Sequence, residues 1–169
     1  YLQDVTTRVR EFALTGSHLR DVELPGVGTA VGFYGKPDHE ETFYAFTSFN
    51  TPTTTYRYDI ATGQSTLVRR PEVNFNPDEY HVEQVFYNSR DGTRVPMFPA
   101  HRKDIERDGD RPTLLYGYGG FAIPLSPYFS VSRLAWMEMG GVLAVANLRG
   151  GGEYGEQWHL AGKLDKKQN

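Results

Sequence analysis

RPTLLYGYGGFAIPLSPYFSVSRLAWMEMGGVLAVANLRGGGEYG, residues 111–155, decides the fold. It reads as strand, glycine-rich loop, helix, strand and a second glycine-rich loop, the first βαβ unit of an α/β domain. Residues 113–116 form a short apolar strand. The helix is expected to start near Ser126-Pro127 or Ser130, since serine is a good N-cap. Val131, Leu134, Ala135 and Met139 fall at i, i+3, i+4 and i+8 and would form one apolar face. Gly140-Gly141 ends the helix as a left-handed C-cap would. Residues 142–146 are nearly all apolar, as in a central parallel strand covered on both faces. Residues 157–164 are able to begin another helix. No G-x-S-x-G nucleophile elbow occurs in the chain.

Upstream the style differs. The first ~75 residues alternate short polar-apolar strands rich in Val, Thr, Tyr and Phe, residues that suit a pleated surface. Turn signals separate them at Thr15-Gly16, Pro25-Gly26, Lys36-Pro37-Asp38 and Ala61-Thr62-Gly63. Residues 59–63 read as a tight hairpin turn between residues 56–58 and 65–68. Aromatic residues make up 14 % of the chain, which suggests packed β-sheets. Short antiparallel strands at this spacing suggest propeller blades or a sandwich. The irregular stretch 71–79 is the expected domain boundary, dividing residues 1–75 from 76–169. Beyond it, residues 81–89 and 94–102 form a hairpin around Asp91-Gly92, and residues 103–111 a charged surface loop.

Composition narrows the function classes. With 38 % hydrophobic residues in 169, the chain holds one ordinary domain or pieces of two. No apolar run approaches the ~18 residues of a membrane-spanning helix, and the mean hydropathy is −0.54. A net charge of −3 without a basic stripe argues against nucleic acid. The absence of cysteine excludes disulfides, thiolate catalysis and cysteine-based zinc sites. His18, His39, His81, His101 and His159 have no metal-ligand spacing, so no metal or other cofactor is expected. No signal peptide is visible; a soluble protein is expected, with cytoplasm and periplasm both open. Tyr1 is not a start methionine and DKKQN lacks a closing signal, so both ends are expected to be cuts.

The two glycine loops admit two chemistries. Gly117 to Ala122 and Gly150 to Gly155 both fit G-x-G-x-x-G/A after a strand, the dinucleotide pattern. That use requires a helix starting at the loop. Here two prolines, Pro124 and Pro127, intervene, and the strand that should end in a ribose-binding acid ends Asn147-Leu148-Arg149. The competing chemistry is acyl transfer: in α/β-hydrolases the loop after the third strand supplies part of the oxyanion hole. Tyr118, between glycines, is able to present its phenol as that donor or to pack against its glycine neighbours; spacing leaves both open. Arg149 is expected to orient the glycine loop or to pair with Glu153. Glu153 and Glu156, three apart, make no convincing acid/base pair. Trp158 reads as packing, and Lys166-Lys167 is too short for a basic patch.

LLYGYGGF (114–121), VSRLAW (131–136), GGVLAVANLRGGGEYGEQWH (140–159), LDKKQN (164–169) and HVEQVFYNSRDGTRVPMF (81–98) resemble the prolyl oligopeptidase family of serine peptidases. The aromatic strands before them resemble its last propeller blades. Oligopeptidase B, the sibling branch and the alternative reading among the peptidases, shares the GGGE loop, but its patterns differ from YGYGGF and ANLRGGGEYG, which favour the proline-specific branch. The resemblance implies all-β propeller strands followed by the N-terminal part of an α/β-hydrolase domain, with the active site between them. It implies cleavage of short proline-containing peptides after proline, through an acyl-enzyme, by a Ser-Asp-His triad. Tyr118 then becomes an oxyanion-hole donor and Phe121 part of the apolar substrate pocket; a loop-anchoring aromatic is the alternative for Phe121. Gly117, Gly119, Gly120 and Arg149 shape the loop. None of Ser17, Ser48, Ser65, Ser89, Ser126, Ser130 or Ser132 lies in an elbow, so the triad is expected outside this sequence and the segment alone inert. Its expected partner is the C-terminal remainder of the hydrolase domain, because a sheet stopped at its fourth strand leaves an apolar edge. A non-catalytic β-rich binding module with an α/β tail is the reading from another class.

Overall fold

The computed structural model describes residues 1–106 and 108–168; Arg107, in the expected surface loop, and Asn169, the last residue of DKKQN, lie outside the described residues. The chain opens with two small hairpins. Strands β1 (Leu2–Gln3) and β2 (Thr6–Thr7) pair through a two-residue turn, as do β3 (Arg10–Phe12) and β4 (His18–Asp21) through a longer one. A four-stranded antiparallel meander follows: β5 (Thr29–Tyr34), β6 (Glu41–Ser48), β7 (Thr51–Asp59) and β8 (Gln64–Arg69), in that spatial order. Strand β6 alternates as a pleat dictates, with Thr42, Tyr44, Phe46 and Ser48 buried and Glu41 and Phe43 exposed. Its inward face builds an aromatic core. Phe33 stacks on Tyr44 at 4.6 Å and Tyr44 on Tyr56 at 5.2 Å. The Tyr58 hydroxyl donates to Glu11 at 2.6 Å, tying β3 to the meander. The expected turn at residues 59–63 is present, with Asp59 accepting from the Thr62 N–H at 2.8 Å.

The second sheet contains β9 (Tyr80–Val82), β10 (Val85–Asn88), β11 (Arg94–Arg102), β12 (Thr113–Gly117) and β13 (Val142–Ala146). Its order is β10-β11-β13-β12, with β9 also on β11; β12 and β13 run parallel and the other pairs antiparallel. The sequence suggested one strand over residues 81–89. It is broken between β9 and β10, although the register against β11 continues across the break. Opposite the break lies Pro99, whose carbonyl accepts from Glu83 at 3.2 Å but which has no N–H to return. Pro96 acts alike on the other side: it accepts from Asn147 N at 3.0 Å, and β13 ends just before that residue.

Between β12 and β13 lies helix α1 (Val131–Glu138), started at Ser130 and stopped by a Schellman turn. Gly140 N–H donates to Met137 O at 3.0 Å and Gly141 N–H to Trp136 O at 3.2 Å. The expected apolar face needs correction. Leu134 and Met137 are buried, whereas Val131 is 66 % and Met139 76 % exposed. An eight-residue helix presents only a turn or so to the sheet, and here that contact runs along i, i+3. Arg133 lies beside it, 4.5 Å from the Tyr128 ring and 5.2 Å from that of Tyr116.

Phe98, Ala100, Leu143, Val145, Leu134 and Met137 form the second core, and Val5 and Phe49 from the first part of the chain are buried in it too. Val5 reaches it from a strained turn, since Asp4 and Val5 both have positive φ, 48° and 67°. Asp4 is held there by the Tyr154 hydroxyl at 2.7 Å and by the Gln84 side chain on its carbonyl. The expected apolar edge is β12, which pairs only with β13 among the described residues and leaves Leu115 67 % exposed. No helix among the described residues is long and apolar enough to cross a membrane.

Candidate active site at the interlocked glycine loops

Strand β12 ends at Gly117 and delivers the chain into the first glycine loop. Tyr118 follows, with its ring beside Gly120 and its hydroxyl bonded to no described residue. Both readings of Tyr118 are therefore compatible: the ring packs on a glycine while the hydroxyl is left to act. Phe121 does not anchor the loop by packing; it is 80 % exposed. Phe121 and Ala122 both take left-handed backbone angles, φ 53° and 55°, next to Gly119 at 55°. L-residues there cost roughly 1–2 kcal/mol each. With Gly119, Gly150, His159 and Leu164 they line a cavity of about 590 Å³.

The second glycine loop braces this strained turn, with Gly150 and Gly152 pressed against the first loop. A Cβ on Gly150 would lie 2.2 Å from Gly119 O, and one on Gly152 would lie 2.1 Å from Ala122 O. The Ala122 N–H donates to Gly150 O at 3.2 Å, and His159 Nδ1 stands 2.7 Å from the same oxygen. The Ala122 N–H also points at His159 Nδ1, 3.2 Å away, so the imidazole and the Gly150 carbonyl flank one donor. The first loop also runs eight residues past Ala122 before α1 begins at Val131, which is not the loop-to-helix geometry a dinucleotide site needs. Helix α2 (Glu156–Leu160) closes the second loop, with Trp158 Nε1 donating to Leu148 O at 3.2 Å. Lys167 Nζ donates to Gly119 O, a contact the lysine pair did not suggest.

Arg149 does not pair with Glu153. Its guanidinium reaches across to the β10–β11 hairpin, where it forks onto both oxygens of Asp91 and donates to Thr93 Oγ1 at 3.1 Å and Ser89 Oγ at 3.0 Å. The hairpin tip offers three acceptor side chains in one place and Glu153 points elsewhere. The Arg149 hydrogen bonds, with the Thr93 backbone N–H, hold the Asp91 carboxyl well below the usual carboxylate range. Glu153, which sequence reasoning set aside, is buried at 7 % exposure, while Glu156 is exposed. Its Oε1 accepts from Leu125 N at 3.1 Å and from Asn147 Nδ2 at 3.3 Å. The only sequence signal for it is a carboxylate set inside a glycine-rich loop. No group of three or more metal-ligating side chains occurs among the described residues.

Comparison with known proteins fits this architecture. Residues 1–71 match the model for the prolyl oligopeptidase N-terminal beta-propeller domain, and residues 127–169 that for the prolyl oligopeptidase family. A prolyl endopeptidase of Elizabethkingia miricola is 47 % identical over 169 residues, covering 100 % of this chain and 24 % of the relative. The dual function macrocyclase-peptidase POPB of Amanita bisporigera is 37 % identical over 174 residues, again 100 % of this chain and 24 % of the relative. A solved structure from work on two prolyl endopeptidases superposes with a TM-score of 0.87 at 55 % identity, covering 99 % of this chain and 25 % of that one. Prolyl oligopeptidase B from Galerina marginata superposes equally, TM-score 0.87 at 34 % identity, over 98 % of this chain and 24 % of that one. The chain thus spans about a quarter (24 %) of the length of the curated relatives it matches. Propeller-type strands, the start of a hydrolase sheet and these matches together place the chain in the prolyl oligopeptidase family.

Proposed function

We propose that the chain is the propeller-to-hydrolase segment of a serine endopeptidase that cleaves short peptides after proline through an acyl-enzyme. Residues 1–75 belong to the propeller and 76–169 to the hydrolase domain. The observation that carries this reading is the free Tyr118 hydroxyl at the carboxyl end of β12, on a loop held in strained geometry. A phenol there donates to the oxyanion as the scissile carbonyl becomes tetrahedral, and Phe121 offers an exposed apolar face to the substrate. Gly117, Gly119 and Gly120 shape the loop, the first two by close packing against Leu148 and Arg149, and Arg149 pins the neighbouring hairpin. The nucleophile, acid and base come from the remainder of the hydrolase domain, so the segment alone is inert: a serine hydroxyl without its base attacks poorly.

Intact-mass spectrometry after exposure to a fluorophosphonate tests this. The segment is expected to stay at 19.1 kDa without adduct, and the longer enzyme to gain one. A labelled segment would sink the mechanism. In the longer enzyme Tyr118→Phe is expected to lower kcat by about 100- to 1000-fold with little change in melting temperature, the usual loss for one oxyanion donor. An unchanged kcat would remove Tyr118 from the site.

A further inference from the structure

Glu153 is the buried carboxyl group the peptidase reading does not use. It is 7 % exposed and its partner Asn147 0 % exposed. An ionised carboxylate costs several kcal/mol to bury unless bonds replace its water. Here the replacement is incomplete: Glu153 Oε2 and Asn147 Oδ1 are both buried without a hydrogen-bond partner among the described residues. What the pair does hold is one residue of the opposite loop. Glu153 Oε1 takes the Leu125 N–H at 3.1 Å, and Asn147 Nδ2 donates to the Leu125 carbonyl at 3.0 Å. Both backbone groups of Leu125 are thus satisfied by buried side chains from the end of β13 and the second loop.

Leu125 lies just past the left-handed pair Phe121 and Ala122. A turn that is uphill at two successive residues persists only if its surroundings over-determine it. Its front is held by Ala122 N–H on Gly150 O at 3.2 Å, and its back by Glu153 and Asn147 on Leu125. Hydrophobic side chains of similar volume would fill the space without the orphaned oxygens, but they would leave Leu125 unheld.

We propose that Glu153 is a positioning residue for the substrate loop: by fixing Leu125 it holds the Phe121-Ala122 turn, and with it Tyr118, in the geometry that acyl transfer uses. The proposal rests on the peptidase reading, and its test separates the two. Hydrogen exchange of the backbone amides of residues 119–125 is measured in the longer enzyme, together with kcat and KM on a short proline p-nitroanilide peptide. Glu153→Ala is expected to speed that exchange by about ten-fold or more. It is expected to lower kcat by about 10- to 100-fold, the scale of a ~1 Å misplacement, with KM moving much less. Glu153→Gln keeps the Oε1 acceptor and replaces the orphaned Oε2 by an amide donor, so it is expected to restore slow exchange and kcat. Should Glu153→Ala be too unstable to purify, Glu153→Asp, shorter by one methylene, is expected to show the same loosening in smaller degree. Unaltered exchange in the truncated variants overturns the proposal. So does a fall in melting temperature with kcat intact, or a Gln variant as damaged as the Ala one. If the wild-type enzyme fails to cleave the peptide, the peptidase reading falls, while exchange still judges the brace.

Discussion

The first glycine loop presents side chains outward, with Tyr118 42 % and Phe121 80 % exposed, whereas the second turns its backbone inward against the first. Both fit the same glycine spacing. In the first, bare backbone accompanies left-handed angles that aim two aromatic residues. In the second, glycine is required at 150 and 152 because another backbone stands where a Cβ would be. One pattern thus has two physical meanings, although Gly119 in the first loop is confined too, its Cβ meeting Arg149 O at 2.7 Å, and Gly155 in the second meets nothing within 4 Å.

The difference is open to direct attack. The largest effect is expected from Gly150→Ala, which combines φ 98° with a contact of 2.2 Å to Gly119 O. A loss of roughly 3–5 kcal/mol, enough to abolish folding of a marginal domain, is expected in denaturant titration. Gly120→Ala in the first loop is the control, because its Cβ would meet nothing closer than the Tyr118 ring at 3.5 Å; a change within about 0.5 kcal/mol is expected. Equal losses at the two positions would erase the distinction.

Arg149 tests whether the second loop also depends on its distant clamp. Arg149→Ala is expected to lower the melting temperature by roughly 5 °C, and Arg149→Lys to recover less than half, since an ammonium cannot fork across a carboxylate. The sign with pH follows from Asp91, whose folded pKa is depressed. Its contribution is fully present above the unfolded value of about 3.9 and is lost as pH falls toward the folded one. The stability gap between wild type and Asp91→Asn should therefore narrow below about pH 4; a gap constant with pH would mean that the clamp acts by shape alone.

The smallest effect sharpens the contrast from the other side. Ala122→Gly removes a Cβ from a left-handed residue and is expected to raise stability by about 0.5 kcal/mol. A measurable loss instead would mean that the strain at Ala122 is already relieved by its contacts.

Much of this arrangement was legible in residues whose meaning is local. The aromatic alternation gave the meander, Asp59 to Gly63 and Asp91-Gly92 gave their turns, and Gly140-Gly141 stopped the helix where a Schellman turn forms. What escaped was decided by long-range geometry. The Asp4-Val5 turn has no glycine or asparagine to announce it and is stabilised by Tyr154, far along the chain. Arg149 was expected to orient the glycine loop or to pair with Glu153, and nothing in its spacing points to Asp91, 58 residues away. The break between β9 and β10 is caused by Pro99 on the facing strand, so no residue inside the break signals it. Tyr118 was open to two uses by spacing, and its unbonded hydroxyl appears only when the loop is folded.

The interlock of Gly119 with Gly150 and of Ala122 with Gly152 also constrains how such a protein can change over time. A larger residue at 150 or 152 requires the facing carbonyl to withdraw, and withdrawal re-aims Tyr118 and Phe121. Neither loop is then free to drift alone. Among relatives, substitutions at these glycines should arrive together with a remodelled first loop, so that the pair is inherited as one unit and altered as one.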